Sequence, residues 1–411
     1  MKYTLQIFFL CLMTKLGAQP VTMMRDGNDI LLSASNEDLR IEFCATDMFR
    51  IRRSPDKFFR ENEQWMVRKY DFSPVEFKTD DRADTLYIET LDLKVRVAKS
   101  NLLIEVRNKT GKTLYSEQAS QHFFPDSVRN QVALGVDEHF FGFGERMDFL
   151  DQRGKKVYLN VELGRGSKPA VGGKDILRAN YCPVPLMIST YGYGIFFHTA
   201  FPTLWDMGWS SRKYYSMCAH GQTVGAHNLE LDYYFIYGPD MYRIVDSYTT
   251  LTGKSPMLPR YAMGLHVGTY AGGTWKFESE TNDRYAVELA RRLRAEEIPS
   301  DLLWFDSTWR FFNTTFGNGG CTFEWRETFL DPEKMFKDLY AEHIKAVGLH
   351  IRSILYNGPH YKLLDQAREA GNVLMPHAEN EGLVNFFDST AVNWWWENGA
   401  KKVTALGARF F

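Results

Sequence analysis

Asp306 closes the apolar run Leu302-Leu303-Trp304-Phe305, and Trp309 and Trp325 follow it. A carboxylate at the end of a strand can accept hydrogen bonds from two vicinal hydroxyls, and flat indole faces pack well against C–H surfaces. This set of side chains suits a neutral, polyhydroxylated ligand. Tyr270, at the end of an earlier apolar segment, is a similar aromatic candidate. His350 and Arg352 lie two positions apart in a third apolar run, and so share a face if that run is a strand. Arg matches carboxylate or sulfonate bidentately, so this pair offers a grip on an acidic or modified ligand. Each residue also has a plainer reading. Asp306 can cap the turn that follows it, the tryptophans can be core, and a strand histidine can be a satisfied interior residue.

The rest of the composition narrows the chemistry. Lys plus Arg number 49 against 51 Asp plus Glu, which leaves no basic field for nucleic acid or an anionic membrane surface. No His-rich metal spacing occurs, so no catalytic metal and no cofactor are expected. The first residues, Met1-Lys2, an apolar run, then Leu16-Gly17-Ala18, have the pattern of a secretory signal peptide over 1–18, implying a secreted or periplasmic protein. That run is shorter than the ~20 residues of a membrane span. Four cysteines remain after it, Cys44, Cys182, Cys218 and Cys321, without CxxC spacing. They fit either one disulfide, such as Cys182 with Cys218, or four free thiols.

Two kinds of element must position these side chains. Residues 21–258 show short alternating segments at 39–43, 86–97, 102–106, 195–198 and 229–236, separated by turn signals such as Asp26-Gly27-Asn28 and Tyr191-Gly192-Tyr193-Gly194. They predict an antiparallel β-sandwich. Residues 241–251 read as a helix, and Pro- and Gly-bearing residues 252–259 as a linker. Over 259–411 strands alternate with helices: strands at 262–269, 302–305, 347–355, 384–387 and from 408, helices at 281–296, 332–341, 362–370 and 389–404. Such alternation predicts βαβ units and a parallel sheet. No Gly-rich phosphate loop follows any of these strands, which argues against a dinucleotide fold.

With these elements placed, the chain resembles glycoside hydrolase family 31, the α-glucosidases and α-xylosidases. The resemblance rests on Phe141-Gly142-Phe143-Gly144-Glu145-Arg146, on Tyr181-Cys182-Pro183-Val184-Pro185 running into Tyr191-Gly192-Tyr193-Gly194, and on Tyr237-Gly238-Pro239. Ile298-Pro299-Ser300-Asp301, Trp304-Phe305-Asp306, Phe323-Glu324-Trp325 and Phe329-Leu330-Asp331-Pro332 continue it in register. It implies a galactose-mutarotase-like sandwich followed by a (β/α)₈ TIM barrel, and a retaining mechanism with an Asp nucleophile and an Asp acid/base. It also implies that Asp306 holds hydroxyls of the terminal sugar, while His350 departs from the Trp that often lines the family's pocket. The family's nucleophile follows strand four in a pattern like Gly-x-x-x-Phe-Lys-Thr-Asp, and here Gly407-Ala408-Arg409-Phe410-Phe411 are the last residues. By that register both catalytic Asp residues lie past Phe411, and no catalytic residue is expected in this chain. Residues 259–411 are also fewer than the ~250 of a whole barrel, so the barrel is expected to be incomplete.

Two functions fit this reading. One is retaining hydrolysis of α-linked glucose- or xylose-type oligosaccharides, not carried out by these 411 residues alone. The other is a non-catalytic carbohydrate-binding or interaction remnant. A half barrel leaves the inner faces of its strands open, which predicts poor solubility.

Overall fold

The computed structural model describes residues 21–118, 121–146, 149–160, 182–221, 223–224, 227–268, 282–306, 309–311, 321–374 and 382–411. The leader read at 1–18 and the candidate Tyr270 lie outside these residues. The chain divides into two compact units between Ser255 and Pro256. Among the described residues, no helix is long and apolar enough to cross a membrane.

The first unit is a sandwich. One layer is an eight-stranded antiparallel sheet, in the order Thr22–Asp26, Asp29–Ser33, Asp38–Ala45, Met48–Ser54, Leu231–Tyr237, Tyr193–Phe197, Pro183–Ser189 and Phe140–Gly144. The other layer joins a meander of five strands, from Lys78–Asp81 to Thr113–Ser116, to a second five-stranded sheet through the bridge Glu117↔Val132. Alternating apolar residues of all three sheets meet in one core, among them Ile41, Val95, Trp205 and Phe235. The segment read as one strand at 86–97 is two, Thr85–Glu89 and Leu93–Ala98, paired as a hairpin.

The Phe-Gly-Phe-Gly signature has a structural cause. Gly142 and Gly144 take φ of +107° and +82° around a register shift, and Phe143 between them at +70° turns its ring into the core, 5.2 Å from Trp205. A Cβ on Gly142 would lie 2.3 Å from the Leu186 carbonyl oxygen. Gly142→Ala is therefore expected to destabilise the unit by more than about 1 kcal/mol, since left-handed strain and a backbone clash add. A urea melt measures this, and an unchanged midpoint would contradict it.

The second unit opens with a 3₁₀ turn at Arg260–Met263, where the alternation had suggested strand, and its parallel sheet starts at His266–Gly268. Leu302–Phe305 and Ala346–Leu349 follow in register, and a parallel bridge Gly348↔Phe410 adds the start of a fourth strand. Helices Asp283–Ala295 and Pro332–Ala341 cover one face, capped by the Asn282 and Asp331 side chains. Leu303, Phe305, Val347 and Leu349 pack under the helices in one apolar cluster. The opposite face alternates small and large: Gly268, Trp304, Gly348 and Phe410 lie side by side, with the Trp304 and Phe410 rings 4.1 Å apart. A Cβ on Gly348 would meet the Phe410 ring at 2.1 Å, so glycine is required there by close approach.

Two of the expected strands are different in the structure. The third parallel strand ends at Leu349 rather than running to 355, and Ile354–Leu355 pairs antiparallel with Gly382–Leu383 as a separate ribbon. Two-residue alternation continues through 350–355, but period alone does not say which neighbour a strand pairs with.

Candidate functional site

The second unit's parallel sheet sets the site. Leu302–Phe305 and Ala346–Leu349 pair residue for residue, so Asp306 and His350 emerge next to each other at their C-terminal ends. The His350 Nδ1 lies 3.1 Å from Asp306 Oδ1, and both side chains remain about one-third to two-fifths exposed, at 35% for Asp306 and 41% for His350. The His350 backbone N–H donates to the Phe305 carbonyl at 2.8 Å, fixing the height at which its ring leaves the sheet.

Trp309 holds this arrangement from beneath. Its indole N–H donates to the His350 carbonyl at 2.9 Å, and its backbone N–H to the Asp306 carbonyl at 3.3 Å. It has no solvent exposure and meets Trp325 edge-on at 4.9 Å, with Trp325 packed in turn on Phe329. An indole without an exposed face cannot stack on a sugar, so Trp309 is core rather than part of a stacking wall, while Trp325, which packs against it, stays partly exposed. The loops after the two strands zip together beyond them, through Arg310↔Trp325 and Cys321↔Leu355 bridges and a Cys321 N–H to Ile354 carbonyl bond of 2.6 Å.

Arg352 is half-buried in this layer, past the strand's end, so the shared strand face assumed for it and His350 does not exist. Arg310, which the sequence reading overlooked, is fully buried there. Burial pushes its guanidinium below the usual Arg range; Cys321 and Asp306 oppose that shift and Arg352 adds to it. Asp306 is the acid beside His350, and its charge also acts on the buried Arg310. The one sequence signal for Arg310 was an arginine inside the aromatic run Trp309-Arg310-Phe311-Phe312.

A second face of the same sheet carries His266 and Trp304, whose indole N–H donates to His266 Nδ1 at 3.1 Å while His266 Nε2 reaches the Ala262 carbonyl at 3.0 Å. Cys44, Cys182, Cys218 and Cys321 are free thiols, Cys44 and Cys321 buried, Cys182 exposed and Cys218 half-buried.

Residues 38–206 match the glycosyl hydrolase 31 N-terminal galactose mutarotase-like domain, and residues 255–411 match the glycosyl hydrolases family 31 TIM-barrel domain. The chain belongs to glycoside hydrolase family 31. Similar proteins include the α-xylosidase XylQ of Lactiplantibacillus pentosus, 26% identical over 72% of this chain and 36% of its own length. The isomaltosyltransferase of Sporosarcina globispora is 23% identical over 90% of this chain and 35% of its own. Among solved structures, a family 31 dextranase of Flavobacterium johnsoniae complexed with glucose superposes with a TM-score of 0.78 at 25% identity, covering 96% of this chain and 47% of the dextranase. The chain therefore spans about a third of the length of these curated relatives and about half of that solved chain. The family 31 barrel match contains Asp306, Trp309, Trp325, His350 and Arg352.

Proposed function

We propose that this chain forms the sugar-holding half of a retaining α-glycosidase acting on terminal α-linked glucose- or xylose-type sugars, with Asp306 receiving hydroxyls of the terminal sugar. The observation that carries the reading is the partly exposed Asp306 carboxylate at the C-terminal end of a parallel strand, braced by His350 at 3.1 Å. In barrels of this type the chemistry gathers at those strand ends. The similar proteins, an α-xylosidase and a dextranase complexed with glucose, support the substrate class.

Retention needs two further carboxyl groups about 5–5.5 Å apart, one attacking the anomeric carbon and one protonating the leaving oxygen and then activating water. The bridge between Gly348 and Phe410 begins a fourth parallel strand beside Ala346–Leu349. We place the nucleophile just beyond there, on the fourth strand's end. Hydrolysis of a panel of aryl α-glycosides, by the 411-residue chain and by a version extended downstream, tests this. Activity in the extended form alone is expected, and saturable turnover by the shorter chain would sink the assignment. An α-glucuronide in the panel decides whether His350 and Arg352 favour an acidic sugar. The leader pattern at 1–18 supports export, which N-terminal sequencing of protein recovered outside the cytoplasm checks.

A buried charge network in the family 31 sandwich gives a separate expectation. His198 lies between Asp232 Oδ2 at 3.0 Å and Glu63 Oε1 at 2.6 Å, and Arg50 grips Asp232 at 2.8 and 2.6 Å. Burial works against the imidazolium, but attraction and hydrogen bonding to Asp232, and the bond to Glu63, hold its pKa above the ordinary value. A raised histidine stabilises most below its unfolded pKa of about 6.5 and loses that contribution as pH climbs through the folded value. The Tm gap between wild type and His198→Gln should be widest near pH 5.5 and shrink toward pH 8.5. A gap that grows with pH would contradict it.

A further inference from the structure

Residues 55–77 run from the strand Met48–Ser54 to the strand Lys78–Asp81 without forming helix or strand, and they lie as a strap across the outer face of the eight-stranded sheet. Both ends of the strap are tied down. Near its start Asp56 accepts from the Ser54 hydroxyl at 2.8 Å and the Asn228 N–H at 3.0 Å, the Arg60 N–H donates to Glu230 at 2.5 Å, and Arg50 donates to the Asn62 side chain at 2.8 Å. Near its end the Asn28 side chain bonds the Ser73 carbonyl and the Val75 N–H at 3.0 and 2.8 Å. None of these groups is of a type that changes charge between about pH 5.5 and 8.5.

The middle of the strap is pinned differently. The Glu63 carboxylate accepts the backbone N–H groups of Trp65, Met66 and Val67 at 2.5, 2.8 and 3.0 Å and the Tyr70 hydroxyl at 3.2 Å, and it reaches the sheet through His198 Nε2 at 2.6 Å. Val67 is buried in the apolar cluster beneath, and the Arg68 and Lys69 N–H groups donate to the Leu251 carbonyl, so the stretch is closed most of the time and the pin sets how often it opens. The strap also walls a cleft of about 850 Å³, in which Phe59, Arg60 and Phe72 line one side and the strand residues Asp29 and Glu42 the other.

The pin can lose its charge. His198 is faced by Asp232, 3.0 Å from Nδ1, by Arg50, whose Nη2 lies 3.3 Å from the same nitrogen, by Glu63 and the Tyr70 ring from the strap, and by the Tyr234 ring. Each ring nitrogen meets a carboxylate, and only the doubly protonated ring donates to both. Once one proton leaves, Nε2 either turns a lone pair on Glu63 or donates to it without the charge, and the link is weaker in both cases. Burial opposes ionisation of Glu63, but the bonds from His198 and the three N–H groups bring its carboxyl below the usual glutamate range, so His198 is the member of the pair that titrates.

We propose that this strap is a proton-dependent latch on the sandwich: protonated His198 pins it through Glu63, and loss of that proton lets residues 64–72 open more often and widens the cleft they help to close. The latch belongs to the sandwich unit and does not depend on the catalytic reading of the barrel.

Hydrogen–deuterium exchange of the 411-residue chain from about pH 5.5 to 8.5, corrected for the intrinsic pH dependence of amide exchange, tests the proposal. Protection of a peptide covering 64–72 is expected to fall about tenfold as pH rises, the difference between a charged and a neutral hydrogen bond. Protection of the core strand Ile104–Asn108 should change less. Glu63→Gln keeps an oxygen for the three N–H groups and removes the charge, so it should flatten the pH dependence of the strap, as should His198→Gln. Strap protection that does not vary with pH, a pH dependence that survives in Glu63→Gln, or an equal loss in Ile104–Asn108, which would mean global opening, would each overturn the latch.

Discussion

Replacing Arg53 with methionine is expected to destabilise the sandwich by about 3–5 kcal/mol, because it removes one member of a buried charge group and leaves the others. Arg53 has no exposure; its guanidinium donates to Glu117 at 2.6 Å and to the Leu102 carbonyl at 2.7 Å, and Glu37 lies 3.5 Å away. Glu117, equally buried in its side chain, also accepts from Tyr233 at 2.6 Å, Asn130 at 2.7 Å and the Ile104 N–H at 2.9 Å. Burial alone would raise the Glu117 pKa, but Arg53 leads the interactions that bring it below the ordinary value. A depressed carboxylate contributes stability above its unfolded pKa and loses it as pH falls through the folded one. The penalty of Arg53→Met should therefore be largest near neutral pH and shrink on acidification, when Glu117 can protonate in the variant. Urea melts at pH 7 and pH 4.5 measure both effects. A cost under about 1 kcal/mol at pH 7 would mean that water or rearrangement compensates the acids.

On the proposed glycosidase reading, Asp306→Ala in the downstream-extended version is expected to lower kcat/KM on aryl α-glycosides by about 10²–10³. Two charge-assisted hydrogen bonds to sugar hydroxyls, each worth about 1.5–2 kcal/mol, account for that factor. His350→Gln should cost less, about tenfold, because His350 braces Asp306 at 3.1 Å rather than holding the sugar in its place. The readout is the loss of kcat/KM at unchanged circular dichroism. A loss below threefold for Asp306→Ala would assign the carboxylate to local structure instead.

The candidate site was legible in proportion to how local its causes are. Asp306 could be placed from the sequence because an apolar run ending in a carboxylate fixes both the strand and its end, and the structure puts the strand at Leu302–Phe305. Its contact with His350 could not, because it depends on the parallel register of two strands separated by a helix and two loops. Trp309 carried the right chemistry for stacking but is wholly buried in the core against Trp325, which itself stays partly exposed. Arg310 escaped notice because nothing local marks an arginine for full burial.

The sequence by itself determined the local architecture: turns at Gly27, Gly111 and Gly192, all at positive φ, the capped helix Pro332–Ala341, and the change from antiparallel to βαβ rhythm before Pro256. Those features follow from side-chain period, backbone permissiveness and capping within a few residues. Only the tertiary structure decided that Arg50 and Arg53, three residues apart on one buried strand, face opposite ways to meet Asp232 and Glu117. It alone decided, too, that the Tyr234 hydroxyl lacks a hydrogen-bond partner and that Gly348 makes room for Phe410. A buried polar group's energy is set by what lies across the core, and that neighbour comes from a distant part of the chain.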